Sequence, residues 1–352
     1  MPTQALVDFI IARNAKQSAE FIDPGVRLSR IRYRAEHPTE IVALKCMDGR
    51  LNLSVMTQTP PGIIQPFRNV GGRFNLGWPF FQTLIREGVE YASNRGRHML
   101  VFLTYHYAKG DTHRGCKGFG YDTDAARAAA MKLREQFEGA FGTSHATVYP
   151  VVVGIETDEE SLVFHGKNGE TLSVTDCLED DVNVLESKLH TLFGDMHPRI
   201  LADLIPFVLG NAQHTTAMKA MNRPIVDLDH KEQIIAVGRG FDWLHLPNKA
   251  LIIGPYDPEW LDAVATAARI IESNMEAGRV PTDDGALLLV NAPHREIGHE
   301  EALAREKAKY ILAAAKQKIE KDVPEIASKL SYLAGTTNLE TRAFTPLAEF
   351  KK

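Results

Sequence analysis

Short, continuously apolar runs alternate along the chain with stretches whose apolar residues recur at helical spacing. "EIVALKCMDGR" reads as a buried strand that ends in polar residues, and "GIIQPFRNVGG" as a second short strand closed by two glycines. "WPFFQTLIREGVEYASNRG" has a helical period, with Pro79 near its start and Gly96 just past its end. "HMLVFLTYH" is apolar without interruption, as expected of a strand covered on both faces. "TDAARAAAMKLREQFEGAF" gives the next helix, and "ATVYPVVVGIETDEESLVFHG" more strand. Before all of these, "MPTQALVDFIIARNAKQSAEF" predicts an amphipathic helix and "FIDPGVRLSRIRYRAEHPTE" a loop-rich arm of mixed charge.

Strand and helix in alternation predict a mostly parallel α/β sheet flanked by helices. From about Thr171 to Met221 the pattern turns helical, and near Arg223 a second α/β unit begins. That unit has strands in "EQIIAVGRG", "KALIIGP" and "GALLLVNAPH", a helix in "PEWLDAVATAARIIESNMEAG", and a long terminal helical region from His299. "GALLLVNAPHREIGH" echoes "HMLVFLTYHYAKGDTH": a strand, a histidine, then another histidine a few residues on. The echo reads as an internal duplication, with chance similarity of two buried strands as the alternative. The organisation expected is a helical arm over 1–39, a first α/β domain over 40–170, a helical connector over 171–222 and a second α/β domain over 223–352.

Composition narrows the class without naming a chemistry. The chain has 352 residues, 44% hydrophobic and 24% charged, with a net charge of −5, which gives no basic surplus for a nucleic acid or an anionic membrane. The N-terminal stretch has no basic leader region, and no apolar run approaches a membrane span. Three cysteines in so long a chain do not form a disulfide framework; metal ligand, nucleophile or buried filler are their better readings.

Two constellations fall at carboxyl ends of buried strands, where open parallel sheets place their sites. In "KCMDGRLN", Cys46, Asp48 and Arg50 occupy alternate positions and share one face if the backbone stays extended. The plain alternative is a core cysteine beside a surface Asp–Arg pair. In "LTYHYAKGDTHRGCKGFG", His106, His113 and Cys116 are metal-ligating types. Cys46, one histidine and Cys116 would make a three-ligand zinc site whose fourth position stays open for water, the catalytic arrangement. Cys177 in "SVTDCLEDD" has no histidine or cysteine near it and reads as buried filler.

C-x-D-x-R at one strand end, "FRNVGG" about twenty residues on, and a His/Cys pair after the next long strand together resemble the β-class carbonic anhydrases. "YHYAKGDTHRGCKGFGYDTDAA" with "IIAVGRGF" downstream is similar to the carboxysome shell carbonic anhydrase branch of that class, over roughly residues 40–340. The resemblance implies a zinc-binding catalytic domain, here 40–170, and a degenerate second domain without metal, here 223–352. It implies Cys46 and Cys116 as zinc ligands and Asp48 and Arg50 as the catalytic dyad. The ordinary class pattern H-x-x-C selects His113 as the third ligand, whereas the branch's histidine in "TYHY" selects His106; a rigid strand end also favours His106. His113 then stands behind the ligands as a donor or proton carrier, and His230 is a further proton carrier by its matching place in the branch; a solvated loop histidine is the plain alternative for each.

The activity implied is the zinc-dependent, reversible hydration of CO2 to bicarbonate and a proton, by attack of zinc-bound hydroxide. Phe67, Val70 and Phe102 are expected in the core, with an apolar CO2 pocket as their other role. The alternatives are a CS2 or COS hydrolase on the same scaffold and a non-catalytic zinc-binding assembly protein. The expected partners are CO2 and bicarbonate and a second copy of the chain in a homodimer or larger assembly, with contacts to a shell or to Rubisco left open. Only 45 residues precede Cys46, so the expected location is the cytoplasm, with the carboxysome as the alternative.

Overall fold

The computed structural model describes residues 2–221, 223–224, 228–281 and 284–348. Contacts divide the chain into two compact units: Leu28–Cys46 with Leu51–Asp229, and Met1–Arg27 with Met47–Arg50 and His230–Lys352. The backbone therefore passes from one unit to the other between Cys46 and Met47 and returns after Arg50.

The first unit is built on a six-stranded sheet. Its strands are β1 (Glu40–Cys46), β2 (Ile64–Asn69), β3 (Met99–Tyr107), β4 (Val148–Glu156), β5 (Ser161–His165) and β6 (Thr171–Ser173), in the order β2-β1-β3-β4-β5-β6. β2, β1, β3 and β4 are mutually parallel, while β5 and β6 are added antiparallel at one edge. The continuously apolar sequences of β3 and β4 follow from their central places, with almost every residue of both buried. α4 (Pro79–Ser93) links β2 to β3, and α5 (Thr123–Phe141) links β3 to β4. Because β2 lies on one side of β1 and β3 on the other, the winding reverses at β1, and the carboxyl ends of β1 and β3 flank the switch point.

The helical stretch predicted near residue 171 becomes α6 (Val182–Leu192) and α7 (Pro198–Met221), and both belong to this unit. α7 lies close against the short helix α3 (Leu53–Met56): a Cβ on Gly210 would stand 2.0 Å from the Thr57 carbonyl oxygen, so glycine is required there. Asn211 donates to the Met56 and Glu160 carbonyls and accepts from the Leu162 amide.

The second unit has a five-stranded sheet of β7 (Ile234–Gly238), β8 (Ala250–Ile253), β9 (Ala286–His294), β10 (Leu330–Asn338) and β11 (Phe344–Pro346). Its order β8-β7-β9-β10-β11 repeats β2-β1-β3-β4-β5, and every pair repeats its direction, down to the single antiparallel edge between β10 and β11. α8 (Trp260–Glu276) and α9 (His299–Asp322) take the places of α4 and α5. The echo in the sequence is thus a repeated topology. α1 (Pro2–Ile22) sends Val7 and Ile10 into this unit's core beside Trp243, Phe344 and Leu289. Residues 47–50 run along β8: the Ile252 amide donates to the Met47 carbonyl at 2.7 Å, and Asp48 bridges Leu251.

Two elements differ from the sequence expectation. The segment read as a loop-rich arm is a helix, α2 (Pro24–Glu36), started by Asp23, whose carboxylate accepts the Gly25 and Val26 amides, with Pro24 in the first turn. The terminal region read as helical ends at Asp322; after the single-turn helix α10 (Pro324–Ala327) it gives way to β10 and β11. No described helix is long and apolar enough to cross a membrane.

Candidate metal centre

Cys46 is the last residue of β1, and His106 is the second-last of β3, its parallel neighbour. Cys116 returns to the same sheet edge on the loop that follows β3. One ligand atom from each, two sulfurs and an imidazole nitrogen, lie within 4.8 Å of one another, and all three residues are buried. The three cysteines are thiols. His106 is 2% exposed, and neither of its ring nitrogens has a hydrogen-bond partner. A buried polar group left unmatched costs about 1–3 kcal/mol, so the unmatched His106 imidazole is anomalous unless something binds there. Two sulfurs and one nitrogen at this spacing are a donor set that suits zinc.

The glycine pair after β2 packs behind this group. Gly72 has a φ of 66°, and a Cβ on it would stand 2.9 Å from the Thr104 carbonyl oxygen and 3.3 Å from the Cys46 nitrogen. Gly71, also at 66°, meets the turn after Cys116: a Cβ on Gly118 would be 2.8 Å from the Gly71 nitrogen. Arg73 closes the contact by donating to the Gly118 carbonyl at 2.6 Å and stacking over Phe119 at 4.3 Å. "RNVGGR" thus supports the backbone on which Cys46 and Cys116 stand.

Asp48 and Arg50 lie in the five-stranded unit and form a buried pair. The Arg50 Nε donates to both Asp48 oxygens at 3.1 Å, its NH2 to Oδ2 at 2.6 Å, and its backbone amide to Oδ1 at 2.9 Å. Gly49 between them is obligatory, because a Cβ there would stand 2.5 Å from the Ala250 carbonyl oxygen. His230 follows on: its Nε2 is 3.4 Å from the Arg50 guanidinium and its Nδ1 is 2.8 Å from Glu232 Oε1. Glu232 is fully buried and also accepts from Asn274 at 2.9 Å. Burial pushes its pKa up and Asp48 adds to that, yet His230 and Arg50 outweigh both and hold the carboxyl below the ordinary glutamate range.

The structure separates the two histidines of "LTYHYAKGDTHRGCKGFG". His113 stands on a single 3-10 turn with its side chain 79% exposed, its Nδ1 3.2 Å from Asp111 and its ring against Tyr121. It takes no part in the Cys–His–Cys group. Phe67 packs on Phe81 and Phe102 on Phe164 and Phe207, both in the core, while Val70 is half-buried. Cys177 is buried beside Lys188, and burial pushes its thiol up to about 11. Sequence reasoning passed over Glu232, whose signal is the alternation His230-x-Glu232 entering β7, and over the acidic run "ETDEE" that ends β4.

A family model for the catalytic domain of carboxysome shell carbonic anhydrase matches residues 80–235. A carboxysome shell carbonic anhydrase of Hydrogenovibrio crunogenus (strain DSM 25203 / XCL-2) is 28% identical, the match covering 58% of this chain and 45% of that protein. One of Parasynechococcus marenigrum (strain WH8102) is 26% identical over 58% of this chain and 40% of its own length. The chain is a relative of the carboxysome shell carbonic anhydrases. It spans about half the length of the curated relatives it matches. His106 and Cys116 fall inside the residues matched by the family model, and Cys46, Asp48 and Arg50 precede them.

Proposed function

We propose that Cys46, His106 and Cys116 bind zinc and that the chain catalyses the reversible hydration of CO2 to bicarbonate and a proton. The observation that carries this reading is His106, buried with both ring nitrogens unmatched and facing two thiols. The kinship with enzymes named carbonic anhydrases supports the choice of reaction. Zinc bound there would lower the pKa of water towards neutrality, making a nucleophile at physiological pH.

The chain's own residues do the remaining work. Two thiolates offset the charge of the ion, so help from neighbouring groups is needed. Asp48 follows Cys46 by two residues, a Cα reach of at most about 7 Å. With the metal bound, its carboxylate would accept a hydrogen bond from the nucleophile and orient it towards CO2. Arg50, bonded to both carboxylate oxygens, fixes that orientation and keeps Asp48 from occupying the fourth ligand position itself. His230, 19% exposed at its side chain and in contact with Arg50, takes the role of proton carrier. The exposed His113 is less suited to it.

The test is stopped-flow CO2 hydration with metal analysis of the same samples. Asp48→Ala keeps its zinc and loses about a hundredfold or more in rate; full activity in that variant would remove Asp48 from the mechanism. Cys46→Ser and Cys116→Ser lose metal and rate together, and retention of both would remove the site. CS2 and COS assayed alongside separate this reading from hydrolysis on the same scaffold. We further propose a homodimer, because Ile22, Leu28 and Ile31 are 49%, 46% and 56% exposed on α1 and α2. Light scattering would then give twice 39.1 kDa, and a monomer mass would contradict it. The relatives' name, carboxysome shell carbonic anhydrase, brings a carboxysome shell into the proposal as a setting beside the cytoplasm. Sedimentation with shell particles, against recovery in the free fraction, separates the two settings.

A further inference from the structure

Cys116 stands on a loop, at the end of nine residues that follow β3, and a ligand on a loop holds its place only if other groups fix it. Acidic residues at the carboxyl end of β4 supply that hold. Glu156 is wholly buried and accepts three backbone amides: Lys109 at 3.1 Å, from the start of the loop, and Asp158 and Glu159 at 3.0 and 2.8 Å. Thr157 binds the Tyr107 carbonyl through its amide and its hydroxyl. Asp158 Oδ2 accepts the Gly110 amide at 2.7 Å and the Arg114 guanidinium at 3.1 Å. Arg114 is buried, two residues before Cys116. A Cβ on Gly110 would stand 2.5 Å from the Arg114 NH2 and 3.0 Å from Asp158 Oδ2, so the three groups close on one another with no room for a side chain.

The turn that carries Asp158 is itself anchored from α7 and the segment after it. Arg223 donates to the Asp158 carbonyl and to Glu160 at 2.6 Å each, and His214 lies 2.7 Å from the other Glu160 oxygen. The loop thus hangs from a braced turn on one side and rests on the Gly71–Gly72 turn on the other.

We propose that Asp158 and Arg114 are the positioning pair that sets Cys116 in ligating place. Neither is itself one of the ligands; Asp158 acts through Gly110 and Arg114. The inference rests on the Cys46–His106–Cys116 reading and adds the residues that tune its affinity.

The experiment is zinc titration of the folded full-length chain against a chromophoric chelator, with the absorption spectrum of the Co2+-loaded protein as a second readout. Asp158→Ala weakens zinc binding roughly 10–100-fold, and its sulfur-to-cobalt charge-transfer band falls because one of two thiolates is no longer held in place. Asp158→Asn, which keeps an oxygen for the Gly110 amide, falls between the two. A loss of general stability alone would move the melting temperature and leave the cobalt band as it was. Should Asp158→Ala not fold, Arg114→Gln decides, with the same weakening expected. Wild-type zinc affinity and an unchanged band in both foldable variants would overturn the inference while leaving the site standing. A wild-type chain that binds no zinc, or a His106→Ala variant that binds it as well as wild type, would overturn both.

Discussion

A histidine whose two nitrogens are buried and unmatched is the residue on which the site turns. Its identity was legible in "TYHY" only with the help of a resemblance, since spacing alone left His106 and His113 both open. The structure separates them by burial, 2% exposed for His106 against an exposed ring for His113. The Asp48–Arg50 pair was legible as an alternation, but the chain of contacts onward to His230 and Glu232 joins residues 180 positions apart in sequence, which no local pattern reveals. A second buried histidine gives a prediction at this scale. His165 accepts the Tyr105 hydroxyl at 2.8 Å in its neutral form, and burial, with Arg127 adding to it, lowers its pKa to about 4. An unfolded chain protonates the same ring near 6.5. Between these values the unfolded state binds more protons, so the stability given by neutral His165 is present above pH 6.5 and lost as pH falls towards 4. The loss is about 3 kcal/mol at most. Urea denaturation of wild type and His165→Gln across that range checks it: the variant's pH slope should be shallower by up to one proton, and equal slopes would contradict it.

Among the elements, those with continuous apolar runs were readable and those formed by tertiary pairing were not. β1, β3, β7 and β9 announce themselves because both faces are covered. β10 reads "LSYLAGTTN", with polar residues at its far end, and is a strand because it pairs with β9 along its whole length, Leu330 to Asn338. α2 was hidden by Pro24 and Gly25, which suggest a loop but sit in the first turn, where neither breaks a helix. "NVGG" was read as letting the backbone pass close to the site, and Gly72 makes that reading testable. Alanine there would meet the Thr104 carbonyl oxygen at 2.9 Å from a left-handed backbone. Gly72→Ala should cost about 1–3 kcal/mol in urea unfolding and weaken zinc retention through Cys46. An unchanged midpoint would show that the turn yields freely.

At the scale of the whole molecule, one topology is used twice and only the first copy brings two cysteines and a histidine together. In the second, Asn291 on β9, level with Gly238 at the end of β7, donates to the Arg239 carbonyl and accepts from Thr337. A Cβ on Gly238 would collide with the Asn291 carbonyl oxygen, so glycine is required at the end of β7. The second unit holds residues 47–50 with His230 and Glu232, and the chain enters it there after Cys46 and leaves it after Arg50. Everything proposed for the reaction depends on a metal at the first copy's strand ends. An anomalous diffraction map at the zinc edge tests that most directly. One strong peak is expected about 2.3 Å from the sulfurs of Cys46 and Cys116 and about 2.0–2.1 Å from a His106 ring nitrogen, with a fourth ligand that is not protein. A map with no peak among these three side chains, or with the peak at His113, would contradict it.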